Sequence, residues 1–228
     1  MATSKVVLHH LEDSRSQRIL WLLEELEVPY EIKKYKRTPE KRAPPELLEV
    51  NPLGKSPFIT DGEVNLGESG AIVEYLIGKY GQGKFDPPEN GRLDNLYFTH
   101  FAEGSLGPVL TRRAIFDIVP DHSPALVRPL IRALFQKVDQ AVNVPEFRNQ
   151  GKMIETHLEK SGDWFAGGNS PTSADFLMSF GMETFVLRSP ESLGPKSKEY
   201  VERIQARPAY KRALEKGGEY AYVVKGPE

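Results

Sequence analysis

The run from Asn51 to Leu76, NPLGKSPFITDGEVNLGESGAIVEYL, constrains this chain more than any other stretch. It joins a Ser-Pro dipeptide, an Asp-Gly pair and a Glu-Ser-Gly helix start in one short unit. A strand opening at Ser56-Pro57 lacks one amide donor, and proline there is tolerated mainly at a first strand position or a sharp bend. A cis bond at that point would turn the Ser56 carbonyl and amide outward, where the backbone of an extended ligand can pair with them. Asp61-Gly62, between FIT and EVNL, reads as a two-residue hairpin loop. Glu68 and Ser69 then open a helix whose free amides and dipole suit a carboxylate.

The flanking sequence extends this unit into a larger plan. Lys5 to Leu11 is a short β-branched and apolar run, fit for a buried strand. Ser14 to Glu27 carries Ile19, Leu22, Leu23 and Leu26 on one helical stripe, and Val28-Pro29 ends it. Tyr30 to Tyr35 alternates as a second strand, and a helix runs from Ser69 to Tyr80. The order is βαβ-α-ββα, in which a parallel pair of strands meets an antiparallel pair. Gly81 to Gly91 is rich in glycine and proline and supplies a linker, placed at 83–91. Beyond it no strand is evident. Leu93 to Val119, Leu126 to Asn143 and Glu146 to Lys160 read as helices, with Pro145 separating the last two. Val127, Leu130, Ile131, Leu134 and Val138 form an apolar stripe. Thr172 and Asp175 fit a capping box at another helix start and read as structural.

Bulk properties remove several function classes. Lys plus Arg (30) nearly balances Asp plus Glu (32) over 228 residues, so the basic footprint of a nucleic-acid binder is absent. The longest apolar run, Ile19 to Leu23, is far short of a membrane span, and MATSKVVLHH lacks a signal-peptide core. A soluble cytoplasmic protein is expected. The chain has no cysteine, which removes disulfides, cysteine-ligated metals and a cysteine nucleophile. His9 and His10 are adjacent on one strand and face opposite sides, and no H-x-H or H-E-x-x-H spacing exists, so no metal and no resident cofactor is expected.

Ser14 sits between the first strand and the first helix. With Gln17 three residues on, its structural role would be an N-cap. Gly67 to Ala71 lies one residue from a G-x-S-x-G nucleophile elbow, but it follows the return arm of a hairpin, and His100, His122 and His157 lack an evident acid partner.

Taken in order, EDSRSQRILWLLEEL, RAPPEL (Arg42 to Leu47), NPLG (Asn51 to Gly54), Ser56-Pro57, GESGAI and TSADFLMS resemble the cytosolic glutathione transferases. The likeness is greatest to the fungal serine-type members that carry RAPPEL before NPLG and SP. The resemblance implies a thioredoxin-like glutathione-binding domain (1–82) followed by an all-helical domain (92–228), and a homodimer. It implies that Ser14, four residues before Arg18, donates its hydroxyl proton to the glutathione thiolate. It further assigns the Ser56 backbone ahead of Pro57 to the cysteinyl amide, Glu68 to the γ-glutamyl ammonium and Ser69 to its carboxylate, with Lys55 and Arg42 as candidates for the glycine carboxylate. The second substrate, a small hydrophobic electrophile, would lie where the two domains face each other, with Leu11, Glu12, Leu106, Arg113, Phe116 and the tail Tyr220 to Tyr222 as candidate liners. The same thiolate chemistry permits reduction of organic hydroperoxides. A non-catalytic binding or regulatory protein of the same fold is the alternative.

Overall fold

The structure, a computed structural model, describes residues 5–224. Its sheet has four strands, β1 (Val6–Leu11), β2 (Tyr30–Tyr35), β3 (Phe58–Asp61) and β4 (Val64–Gly67), in the order β2-β1-β3-β4. β1 and β2 are parallel, with Val6 opposite Tyr30, while β1 with β3 and β3 with β4 are antiparallel. Helices α1 (Gln17–Leu26), α2 (Pro45–Val50) and α3 (Ser69–Tyr80) complete the thioredoxin-like half. The remainder is helical: α4 (Arg92–Phe101), α5 (Gly107–Asp121), α6 (Arg128–Ser161), α7 (Ser173–Arg188), α8 (Pro195–Ala206) and α9 (Pro208–Gly217).

α1 is the hub. Ile19, Leu20, Trp21, Leu22 and Leu23 are all wholly buried, so the helix is enclosed rather than buried along one stripe. The reason is its neighbours: α3, α7 and α9 all pack on it. Trp21 lies 4.5 Å from the Phe176 ring of α7 and 6.1 Å from Tyr210 of α9. Glu24 pairs with Arg212 and Lys216, and Glu25 with Arg207, which pins α9 to the polar edge of α1.

Four local expectations are corrected. The hairpin loop is Gly62-Glu63, one residue later than the Asp61-Gly62 pair. Asp61 instead ends β3 opposite Val64, where it accepts from Tyr75 (2.9 Å), Lys79 (2.7 Å) and Tyr80 (2.7 Å) of α3. Gly62, at φ +63°, takes the left-handed turn position that its missing Cβ allows. Pro145 does not split a helix, because α6 runs through it from Arg128 to Ser161. The backbone on either side is held by tertiary contacts: buried Asn143 bonds Asp139 at 2.8 Å and also Arg112, and buried Phe147 packs on Phe185. Tertiary packing there outweighs the local cost of proline. Leu130 and Leu134 of the α6 stripe stand outward, 73% and 58% exposed. Finally, Ser14 is not the residue that precedes α1: that is Ser16, whose hydroxyl closes no capping bond, while the Ser14 hydroxyl, two residues further out, takes only the Ser16 amide. The Thr172 box does form, with Asp175 accepting the Thr172 amide at 2.8 Å and its hydroxyl at 3.0 Å.

No helix among the described residues is long and apolar enough to cross a membrane.

Candidate active site

The loop from β1 into α1, the loop before β3 and the junction of α4 with α5 enclose an open cleft of about 400 Å³. Its polar wall includes Asp13, Ser14, Arg15, Arg18, Arg37, Lys55, Ser56 and Glu103. Its apolar wall includes Leu11, Leu110, Ala114, Phe180 and Tyr222. A few polar groups against an apolar surface is the usual composition of a small-molecule site.

Ser14 lies at the mouth of α1 and is 6% exposed. Its hydroxyl donates to the Leu11 carbonyl at 2.7 Å, accepts the Ser16 amide at 3.2 Å, and lies 2.8 Å from the Ser16 hydroxyl. Ser16 in turn meets Nδ1 of buried His10 at 2.7 Å. The Ser16 hydroxyl is thus taken up by the strand histidine and by Ser14, and closes no bond to the first turn of α1. Alternation along β1 sends His10 toward α1 and His9 to the other face, where His9 meets Tyr35 (2.8 Å) and Thr60 (3.3 Å).

Ser56 is fixed to β1 by its side chain. Its hydroxyl donates to the His9 carbonyl at 2.8 Å and accepts the Leu11 amide at 3.2 Å. The Ser56-Pro57 bond is cis. Asn51 supports the loop from below, donating to the Lys55 carbonyl at 2.8 Å and accepting the Leu53 amide at 3.1 Å. It is a turn residue, as its type favours.

Glu68 and Ser69 lie outside the cleft wall, at the N-terminus of α3. Gly67 pairs with Phe58, so the residue that follows it sits alongside Pro57. Glu68 is exposed and held at φ +65°, a backbone region that costs a non-glycine residue about 1–3 kcal/mol. β4 is an antiparallel edge strand, which removes the buried parallel strand that a nucleophile elbow on Ser69 requires. Arg42 is exposed on the loop ahead of α2, where its amide donates to the Thr38 hydroxyl at 3.3 Å.

The expected liners divide. Leu11 and the tail residue Tyr222 are in the cleft. Glu12 is turned to the Arg37 amide, which it accepts at 2.8 Å. Leu106 is wholly buried and seats against Gly181, whose missing Cβ leaves it room. Arg113 and Phe116 open on a different cavity, where Arg113 pairs with Asp117 and Asp139 and Phe116 meets Phe135 edge-on at 5.2 Å.

Glu103 was not legible from sequence. It lies in a π turn, Ala102–Leu106, where the Gly107 amide reaches back to the Ala102 carbonyl. The wider turn sets Glu103 between Arg15 (3.1 Å) and Arg18 (2.6 Å). π turns of this kind are frequent at functional sites. Burial lowers the Arg18 pKa from its ordinary value, opposed by Glu103. On α7, burial pushes Glu183 up to about 7 against hydrogen bonds from Tyr210, Tyr220 and Gln205. Among the described residues no group of three His, Asp or Glu side chains is placed to hold a metal ion.

Residues 5–77 match the family model described as "Glutathione S-transferase, N-terminal domain". The chain is 36% identical over 218 residues to glutathione S-transferase 3 of Schizosaccharomyces pombe, covering 92% of this chain and 87% of that one. It is 32% identical over 228 residues to glutathione S-transferase 1 of Saccharomyces cerevisiae, covering 95% and 97%. Among solved structures, a glutathione S-transferase from Actinobacillus pleuropneumoniae superposes with a TM-score of 0.72 at 27% identity, over 93% of this chain and 92% of that one.

Proposed function

This chain belongs to the glutathione transferase family, and from that premise we propose that its cleft ionises the glutathione thiol with the Ser14 hydroxyl and adds it to small hydrophobic electrophiles. The observation that carries this reading is the convergence of Ser14, Lys55 and Ser56, from two separate loops, on one cleft. The non-catalytic alternative is not favoured, since relatives matched over nearly the whole chain are named as transferases.

The energetics decide whether one hydroxyl suffices. A free thiol has a pKa of about 8.5, so only a few per cent is thiolate at neutral pH. To serve a sulfur, the Ser14 proton must leave the Leu11 carbonyl, forfeiting a neutral hydrogen bond of about 1 kcal/mol. A bond to a charged thiolate returns about 1.5–3 kcal/mol, and the α1 N-terminus adds about 0.3–1 kcal/mol. The net gain corresponds to a fall of about one to two pKa units at 1.36 kcal/mol each. Thiolate then becomes abundant at neutral pH.

The other handles follow the family pattern. The Ser56 backbone beside Pro57 pairs with the cysteinyl amide, Glu68 holds the ammonium, and Ser69 with the free amides of α3 takes the γ-glutamyl carboxylate. Lys55 holds the glycine carboxylate, with Arg42, on the loop ahead of α2, as the other candidate. The electrophile packs on Leu11, Leu110, Phe180 and Tyr222. Peroxide reduction uses the same thiolate. A homodimer is supported by α4, whose Leu93, Leu96 and Tyr97 are 75%, 55% and 51% exposed.

A conjugation assay with a generic aryl halide, run beside glutathione-agarose retention, tests the reading. Turnover that is lost in Ser14→Ala supports it. Retention without turnover contradicts it.

A further inference from the structure

Nothing in the proposed chemistry uses His10 or Ser16, yet both are buried directly behind Ser14. His10 is 4% exposed and Ser16 wholly buried. The chain of contacts is unbroken: His10 Nδ1 to Ser16 Oγ at 2.7 Å, then Ser16 Oγ to Ser14 Oγ at 2.8 Å, ending on the cleft wall.

Such a chain has two polarities. With the hydrogen on Nδ1, His10 donates to Ser16, and Ser16 donates to Ser14 at 2.8 Å in preference to its more distant acceptor, the Leu11 carbonyl at 3.4 Å. The Ser14 oxygen then accepts both the hydroxyl and the amide of Ser16, and its own proton can point only away, to the Leu11 carbonyl or to a ligand atom in the cleft. With Nδ1 bare, Ser16 donates inward to His10, and the Ser14 proton can be drawn inward to the Ser16 oxygen. Hydrogen bonds aligned head to tail polarise one another, so the first setting also makes Ser14 the stronger donor.

We propose that His10 and Ser16 are positioning residues that hold the Ser14 hydroxyl as an outward donor to the substrate sulfur, His10 acting through Ser16 as its Nδ1–H tautomer. This inference rests on Ser14 being the thiolate's donor. The network favours this tautomer: the Ser14 hydroxyl donates to the Leu11 carbonyl and so accepts from Ser16, which in turn accepts from Nδ1–H.

His10 is a donor in this scheme and not a base. Burial, with Lys34 opposite it on β2, lowers its pKa to about 4, and Asp13 in the adjoining loop opposes this only in part. On the α9 side Nε2 lies by Gly217 and the Gln17 amide: a Cβ placed on Gly217 would lie 3.6 Å from Nε2 and 3.1 Å from the Gln17 amide oxygen. The ring therefore stays neutral at the pH where the thiol ionises. No proton is transferred along the chain; only its direction is set.

The test is the pKa of enzyme-bound glutathione, read from thiolate absorbance against pH, together with the pH profile of kcat/KM. It compares wild type with Ser14→Ala, Ser16→Ala, His10→Leu and His10→Asn. Ser16→Ala should raise the bound-thiol pKa by about one unit and lower kcat/KM about tenfold at pH values below the wild-type pKa. Glutathione Kd should stay within about twofold, because the carboxylate and amide handles are untouched. His10→Leu should give the same shift. His10→Asn, which places an amide donor where Nδ1–H stood, should recover most of it. A thiol pKa that moves in Ser14→Ala but stays at the wild-type value in Ser16→Ala would overturn the relay and leave the role of Ser14 standing. No movement in Ser14→Ala would overturn both. Should His10→Leu fail to fold, Ser16→Ala removes a single oxygen atom and decides the matter alone.

Discussion

Arg18 in the first helix donates to the carbonyl oxygen of Leu177, 159 residues along the chain, at 2.9 Å. Arg18 lines the cleft, and the same guanidinium nitrogen holds Glu103 of the π turn at 2.6 Å. One buried cation thus joins the thioredoxin-like half to α7 and to the α4–α5 junction.

Arg18→Ala should therefore cost far more than its neighbour. The Arg18 side chain is only 2% exposed, and its loss removes two charge-assisted bonds and a buried stem, so unfolding in urea should report about 3 kcal/mol less stability. Arg15 meets the same Glu103 from a side chain that is 40% exposed, and Arg15→Ala should cost less than about 1 kcal/mol. Equal costs would mean that Glu103, and not the buried arginine, carries the junction.

The α6 and α3 glycines separate close packing from helix propensity. An ideal Cβ on Gly151 would lie 2.0 Å from the Ser192 carbonyl oxygen, a backbone atom that cannot turn aside. Gly151→Ala should destabilise by about 1–3 kcal/mol through this overlap. Gly78 has nothing within 4 Å of its Cβ position, so Gly78→Ala should stabilise by about 0.5–1 kcal/mol. Melting temperatures moving in opposite directions are the check.

These contrasts also show what the sequence carried. β1, β2 and α3 were legible to within a residue or two because β-branched runs, Val28-Pro29 and Ser69 are local signals. The hairpin loop was misplaced by one position because Asp61 is held by Tyr75, Lys79 and Tyr80 of a helix not yet formed at that point of the chain. Ser14 looked like a cap because nothing local reveals that the His10 and Leu11 side of β1 engages both hydroxyls. Glu103 escaped notice since a π turn at AEGSL leaves no periodic trace. Ser14, Lys55 and Ser56 were found through a family pattern, and their meeting in one cleft is a tertiary fact.

Stability should depend on pH through Glu183. Burial raises its folded pKa to about 7 from 4.5. Below about pH 4.5 both folded and unfolded chains carry the proton; between about 4.5 and 7 only the folded chain keeps it. Stability from this group is thus full at low pH and declines as pH rises to about 7, by up to about 3 kcal/mol. His10, lowered to about 4 from 6.5, works in the opposite sense, its contribution growing as pH rises through that interval. The difference between wild type and Glu183→Gln isolates the first effect. That difference should be larger at pH 5 than at pH 8; a pH-independent difference would mean that Glu183 is ionised in the folded chain.

Oligomeric state tests the outward α4 face. Sedimentation of the wild type should give twice the chain mass, and Leu96→Asp, which places a charge among Leu93, Tyr97 and Phe101, should give the single-chain mass with the fold retained. A wild-type monomer at micromolar concentration would remove the dimer.

The role of Ser14 is tested most directly by titrating the thiol of glutathione bound to the wild-type enzyme and to Ser14→Ala. In the wild type the thiolate should appear with a pKa about one to two units below the free value of about 8.5, and in Ser14→Ala it should return most of the way, with kcat/KM at neutral pH falling roughly tenfold. A bound thiol that ionises at the same pH in both proteins, with turnover unchanged, would contradict it.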